Sequence, residues 1–165
     1  MMLFQIRQLT VSTIDERDLP TLFEIYKQCE DFLALGPVPV ASMQMVRADI
    51  EHSRAENGQY CAIRDGQDQI IGVLDFIAKS EDHCTGVLSL LMIGIPWRGK
   101  GYGRAVVHAL EAYLRKNHGI ERMDAGVQTN NGAAIRFWKS VGYQLSTEPC
   151  NMPDRTVVYS MTKVL

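Results

Sequence analysis

Residues 94–104, Gly-Ile-Pro-Trp-Arg-Gly-Lys-Gly-Tyr-Gly-Arg, set a glycine-rich, cationic turn between two apolar segments of different period. Before it, residues 87–93 form the short apolar run of a buried strand. After it, residues 103–117 place Val106, Val107, Leu110, Tyr113 and Leu114 on one helical stripe. Strand, glycine turn and helix in that order put a helix N-terminus at the end of a sheet strand. Gly99, Gly101 and Gly103 remove the side chains that keep an anion from the backbone, and the unpaired first N–H groups of the helix then face it with the helix dipole behind them. The segment predicts a seat for a diphosphate.

A chain of 165 residues suits one domain with a real core, and the expected domain is 1–165. A net charge of −2 argues against bulk attraction to nucleic acid or an anionic membrane. Charge is instead segregated: residues 98–118 carry five Lys and Arg against Glu111, and residues 15–31 carry six carboxylates against Arg17 and Lys27. Cys29, Cys61, Cys84 and Cys150 form no metal-ligand spacing, so no metal is expected. Three of these thiols lie in apolar or periodic segments, and the first residues lack a basic flank followed by a long apolar run; both point to the cytoplasm. The longest apolar run is too short to span a bilayer.

Residues 4–12 alternate as a strand, and residues 15–18 open a helix whose first turn accommodates Pro20. Leu19, Leu22, Phe23, Ile25, Tyr26, Cys29 and Leu33 give that helix its buried face, and the Gly-Pro-Val-Pro of residues 36–39 ends it. Ser42 is a candidate N-cap for a second helix that stops at Asn57-Gly58. Residues 59–64 and 69–78 form a hairpin about residues 65–68, and residues 84–95 follow a polar turn at residues 79–83. After the glycine-loop helix, stopped by Gly119, come a strand at residues 122–128, a helix at residues 131–141 and closing strands at residues 143–147 and 156–162. This order implies an α/β (α+β) fold: a mixed, mostly antiparallel central sheet of about seven strands with about four helices on both faces, parallel only between the strands flanking the glycine-loop helix.

Two other phosphate loops fit poorly. The Walker pattern needs a Ser or Thr after Lys100 to ligate Mg²⁺, and Gly101 stands there. A dinucleotide fingerprint needs a glycine where Arg104 stands, and Glu121 opens its strand rather than closing it. What remains is Arg98-x-x-Gly101-x-Gly103. Downstream, Asn131-x-x-Ala134-x-x-Phe137-Trp138-x-x-x-Gly142-Tyr143 completes a second pattern. With both motifs in order inside the deduced β-α-β-α-β succession, the chain resembles the GNAT superfamily of acetyl-CoA-dependent N-acetyltransferases. The resemblance runs from the strand at Phe4 to that at Thr162; residues 33–58, where acceptor choice usually varies, match only in being helical.

The resemblance implies acetyl-CoA as cosubstrate, with no metal. The diphosphate would lie on the main-chain N–H groups of Arg98, Gly99, Lys100, Gly101, Tyr102, Gly103 and Arg104, with positive charge added by Arg98 and Lys100. The pantetheine arm would pair like an added strand with main-chain groups of Met92 and Ile93, hydrogen-bond Asn131, and be walled at its thiol end by Ala134, Phe137 and Trp138. The acceptor would be a primary amine of a small molecule or peptide. No nucleic-acid or membrane partner is implied, and the enzyme would act as a monomer or homodimer.

In the implied reaction a neutral amine attacks the thioester, and the developing oxyanion takes a strand N–H, that of Met92. An alkyl ammonium of pKa about 10.4 costs roughly 4 to 5 kcal/mol to deprotonate at pH 7, whereas releasing a thiolate of thiol pKa about 8.5 costs about 2 kcal/mol. A base therefore matters more than an acid. Trp138 stands where many members of the family carry a tyrosine that protonates the sulfur, and indole N–H is no useful acid. The strand before the glycine loop has no carboxylate. Asp75, inside the apolar strand at residues 69–78, is the first candidate base. Glu30 and Asp31 are second candidates, for base or for holding a cationic acceptor, and His83, in a turn, ranks below them. With neither proton-transfer group fixed by a motif, a coenzyme A binding module without turnover is the alternative reading.

Overall fold

The computed structural model describes residues 1–78, 82–145 and 148–165. The N-terminal segment is a hairpin rather than one strand. Strands β1 (Met2–Ile6) and β2 (Leu9–Thr13) pair antiparallel about Arg7, which takes a positive φ of 52°. Asp15 caps the following turn reciprocally with Asp18, and α1 (Leu19–Gln28) carries Pro20 in its first turn. That helix breaks at Cys29, and a short α2 (Glu30–Leu33) follows, so the single predicted helix is two. The Ser42 hydroxyl accepts from the Met45 N–H at 3.1 Å and opens α3 (Met43–Ala55). The hairpin about residues 65–68 is present as β3 (Gln59–Arg64) and β4 (Ile70–Ile77).

Strand β5 (Thr85–Ile93) leads through a 3-10 turn to α4 (Tyr102–His118), then β6 (Arg122–Gln128) and α5 (Gly132–Ser140). Three further strands close the chain: β7 (Gln144–Leu145), β8 (Cys150–Asn151) and β9 (Val157–Val164). Of the expected turn at residues 79–83 and strand at 143–147, residues 79–81 and 146–147 lie outside the described residues. Among the described residues the sheet has nine strands in the order β1-β2-β3-β4-β5-β6-β9-β7, with β8 on β9; the count exceeds seven because the first strand is split and β8 is added. Among the described residues only β5 and β6 pair in parallel, as expected from the connection through α4.

Helices cover both faces. Val106, Val107, Leu110 and Leu114 of α4 pack on Ile63, Leu74, Phe76 and Leu88, with Trp138 and Tyr143 in the same core. On the other face Leu22, Ile25 and Tyr26 of α1 and Val46 of α3 pack on Ala62, Val73 and Met92. Glu111, buried in α4, is paired by Lys163 of β9 at 2.7 Å, which ties the glycine-loop helix to the far strands.

Candidate active site

Register places a gap at the centre of the sheet. β5 and β6 pair only from Thr85↔Arg122 to Leu88↔Ala125. Beyond Leu88, β5 stays with β4 as far as Ile93, and β6 stays with β9 as far as Gln128. The two strands therefore part. A bulge marks the fork: Asp75 faces Leu90 and Phe76 faces Leu88, leaving Ser89 as the extra, exposed residue of β5.

Which main-chain groups look into the gap follows from the ladder. Gly94 N–H donates to Ile71 O at 2.9 Å, so the flanked pair Gly72↔Ile93 is not hydrogen-bonded and the next, Val73↔Met92, is. Met92 thus spends its main-chain N–H and C=O on β4, and its side chain is buried. Leu91 and Ile93 turn theirs the other way, into the gap. This corrects the expectation that Met92 lines the slot and supplies an oxyanion donor; Leu91 is the residue missed. The carbonyl of Ile93 is already taken by Arg98 Nε at 2.8 Å, which leaves its N–H.

The glycine turn opens at the mouth of this gap. Gly99 and Gly101 have φ of 72° and 79°, a region costly for residues with a Cβ, and a Cβ at either would meet nothing within 4 Å. Gly101 is the N-cap of α4 and no side chain caps the helix. The N–H groups of Tyr102, Gly103 and Arg104 consequently have no acceptor within the helix and no side-chain cap. That cradle of unspent donors fits an anionic diphosphate.

The cations behave differently from expectation. Arg98 turns away from the cradle: Nη1 lies 2.6 Å and Nη2 3.1 Å from the two Asp31 oxygens. Arg104 donates to Ser140 O and Oγ at the end of α5, at 3.0 and 3.2 Å. Among the described residues Arg104 and Lys100 are both exposed without an ion pair, and Lys100 alone among the three makes no side-chain hydrogen bond.

On α5, Asn131 Oδ1 accepts from Ala134 N–H at 2.9 Å; it caps the helix, so its oxygen is not free for a ligand. Phe137 is half-buried, with its ring 3.5 Å from where a Cβ on Gly103 would sit. Trp138, by contrast, is 6 % exposed and packs edge-on against Tyr143 at 4.9 Å. Of the two aromatic side chains, Phe137 flanks the helix N-terminus and Trp138 is core. Ala134 is partly buried against the same core.

Among the candidate bases, Asp31 is held below the usual carboxylate range by the Arg98 guanidinium, which makes it a poor proton acceptor. Glu30 Oε1 accepts from Ala41 N–H at 2.9 Å and ties down the loop after α2. His83 is exposed in its turn. Asp75 is 7 % exposed on the α1/α3 face and accepts from Ser53 Oγ at 2.6 Å. Burial pushes its carboxyl upward; the Ser53 bond opposes this and the charge of Asp49 adds to it. Asp49, also raised by burial, accepts from Tyr26 Oη at 2.6 Å, and Tyr26 Oη lies 2.8 Å from Tyr60 Oη. Tyr60 is the cross-strand neighbour of Asp75. This cluster of buried Asp75 and half-buried Asp49 with two phenols was not foreseen, because residues 26, 49, 60 and 75 meet only through tertiary packing.

A cavity of about 390 Å³ lies between the loop after α2 (residues 35–37), the end of β6 (residues 128–130) and the turn before β9 (residues 154–157). Among the described residues no three His, Cys, Asp or Glu side chains are grouped to share a metal ion, and no helix is long and apolar enough to cross a membrane.

The family model of the acetyltransferase (GNAT) family matches residues 19–143. The chain belongs to the GNAT acetyltransferase family. Solved GNAT structures share the fold at low identity. An acetyltransferase from Salmonella typhimurium that modifies the N-terminal serine of 50S ribosomal subunit protein L7/L12 is 15 % identical, with a TM-score of 0.81 over 100 % of this chain and 99 % of that one. Spermidine N-acetyltransferase from Vibrio cholerae, in complex with CoA and spermine, is 16 % identical, with a TM-score of 0.74 over 95 % of each chain. An acetyltransferase from Thermus thermophilus is 20 % identical, with a TM-score of 0.77 over 98 % of this chain and 100 % of that one. Among curated proteins none matches the chain in sequence.

Proposed function

We propose that this GNAT chain, acting as one domain over residues 1–165, is an N-acetyltransferase that moves the acetyl group of acetyl-CoA to a primary amine of a small molecule or peptide. The observation that carries the reading is the cradle of unspent N–H groups at Gly101 to Arg104 opening beside the parted ends of β5 and β6. Acetyl-CoA, when bound, supplies the thioester. The first turn of α4 and the exposed Lys100 hold its diphosphate; Gly99 and Gly101 give it room. The main chain of Leu91 and the N–H of Ile93 receive the arm as an added strand would be received, and Phe137 walls it.

Asp75 is the proton acceptor in this reading. It stands one strand from the gap, opposite Leu90 at the bulge, and its raised affinity for a proton suits a base better than the Arg98-bound Asp31. It takes the amine proton through water. With a thiolate that costs only about 2 kcal/mol to release at pH 7, no acid is required from Trp138. The acceptor enters by the cavity at residues 35–37 and 128–130. The net charge of −2 and the cysteine placement support action in the cytoplasm, without nucleic acid, membrane or metal, as a monomer or homodimer.

The test is thiol release: the protein is incubated with acetyl-CoA and a panel of amines, including spermidine and a peptide with N-terminal serine. Amine-dependent release of free coenzyme A is expected. Tight coenzyme A binding with no release over any amine would instead assign a binding module.

A further inference from the structure

Arg98 is the first cation of the glycine turn, yet each of its three guanidinium nitrogens is bonded to protein. Besides the two Asp31 oxygens, Nε donates to Ile93 O at 2.8 Å and Nη2 reaches Gln28 O at 3.4 Å and Cys29 Sγ at 3.2 Å. These partners lie at the end of β5 and at the α1–α2 corner. On the other side of the gap, Asn130 Nδ2, just past β6, donates to Leu35 O at 3.1 Å. Residues 31–35 are thus fastened at one end to the loop after β5 and at the other to the loop after β6. They span the mouth of the fork.

We infer that Arg98 is a positioning residue which, with Asn130 as the opposite anchor, holds residues 31–35 as a bridge over the β5/β6 gap and so acts on amine binding rather than on the diphosphate. The inference rests on the acetyl-transfer reading. Its physical basis is geometric. A guanidinium held at all three nitrogens by a carboxylate and two carbonyls is fixed on the α1–α2 corner, and the segment it holds leads straight into the cavity beside Gln128. Phe32 and Leu33 pack on the α1/α3 core, but the backbone bonds of the bridge are single-turn contacts such as Leu33 N–H to Cys29 O and Gly36 N–H to Leu33 O.

Three measurements on the full chain decide it. In Arg98→Gln, coenzyme A affinity by calorimetry is expected within about twofold of the parent, while amide exchange at residues 31–36 speeds up at least tenfold. With spermidine or the N-terminal-serine peptide, whichever turns over, the amine KM is expected to rise about tenfold at an unchanged acetyl-CoA KM. Asp31→Asn should reproduce this pattern. A tenfold loss of coenzyme A affinity in Arg98→Gln that Asp31→Asn does not share, or unchanged exchange at residues 31–36, overturns the inference. If neither amine turns over, exchange and coenzyme A affinity decide alone. Should the parent bind no coenzyme A, the transfer reading falls, while exchange still decides whether Arg98 fastens the bridge.

Discussion

Ser53 donates a 2.6 Å hydrogen bond to Asp75, and the two residues come from α3 and from the middle of β4, 22 positions apart. Burial raises the proton affinity of this carboxyl and the Ser53 donor lowers it. If Asp75 takes the amine proton, kcat/KM must climb as pH rises through its folded pKa. Asp75→Asn should cut kcat by about 10²- to 10⁴-fold and flatten that acid limb. Ser53→Ala, which removes the donor, should move the limb to higher pH. A limb unmoved in both variants removes Asp75 as the base.

Stability should respond in the opposite sense to activity. The folded pKa values of Asp75 and Asp49 are raised, so between the unfolded carboxylate value and the folded ones the native state binds more protons, and stability falls as pH rises through that window. The contribution is present at low pH and lost above the folded pKa. Asp75→Asn keeps an acceptor for Ser53 and removes the buried charge. Its Tm at pH 8 is expected to exceed that of the parent by a few degrees, with no gain at pH 3.5. A lower Tm at pH 8 would contradict the placement.

The two aromatic residues of α5 should separate cleanly. Trp138→Ala empties a buried site beside Tyr143 and is expected to cost about 3–5 kcal/mol of stability in denaturant unfolding. Phe137→Ala, at the half-buried position facing Gly103, should cost less stability and weaken coenzyme A binding several-fold. The reverse pattern would return Trp138 to the slot.

Thiol reactivity gives an independent check on the packing. Cys29 and Cys61 are buried, and burial pushes the Cys61 thiol up to about 12; Cys84 and Cys150 are exposed. A disulfide reagent at pH 8 should modify two thiols fast and the other two only on unfolding.

Much of this site was legible before the fold. Strand, glycine turn and helix at residues 87–117 declare themselves through a change of hydrophobic period, whereas Asp75 inside its apolar run could equally have faced water, and only the fold shows it buried. Other features were not. Arg7 and Gln8 turn the first hairpin without glycine or asparagine, so residues 4–12 look like one strand. The assignment of both Met92 and Ile93 to the slot conflicts with strand alternation, since adjacent residues turn their main-chain groups to opposite sides. The direction of a long side chain such as Arg98 depends on Asp31, 67 positions away, and spacing carries no trace of it.

The most direct measurement is calorimetric titration of acetyl-CoA into the parent chain and into Gly101→Ala, whose methyl enters the open cradle at a backbone φ of 79°. The account predicts stoichiometric binding by the parent and a loss of at least tenfold in the variant, with a folded chain retained. No binding by the parent, or equal affinity in the two, contradicts it.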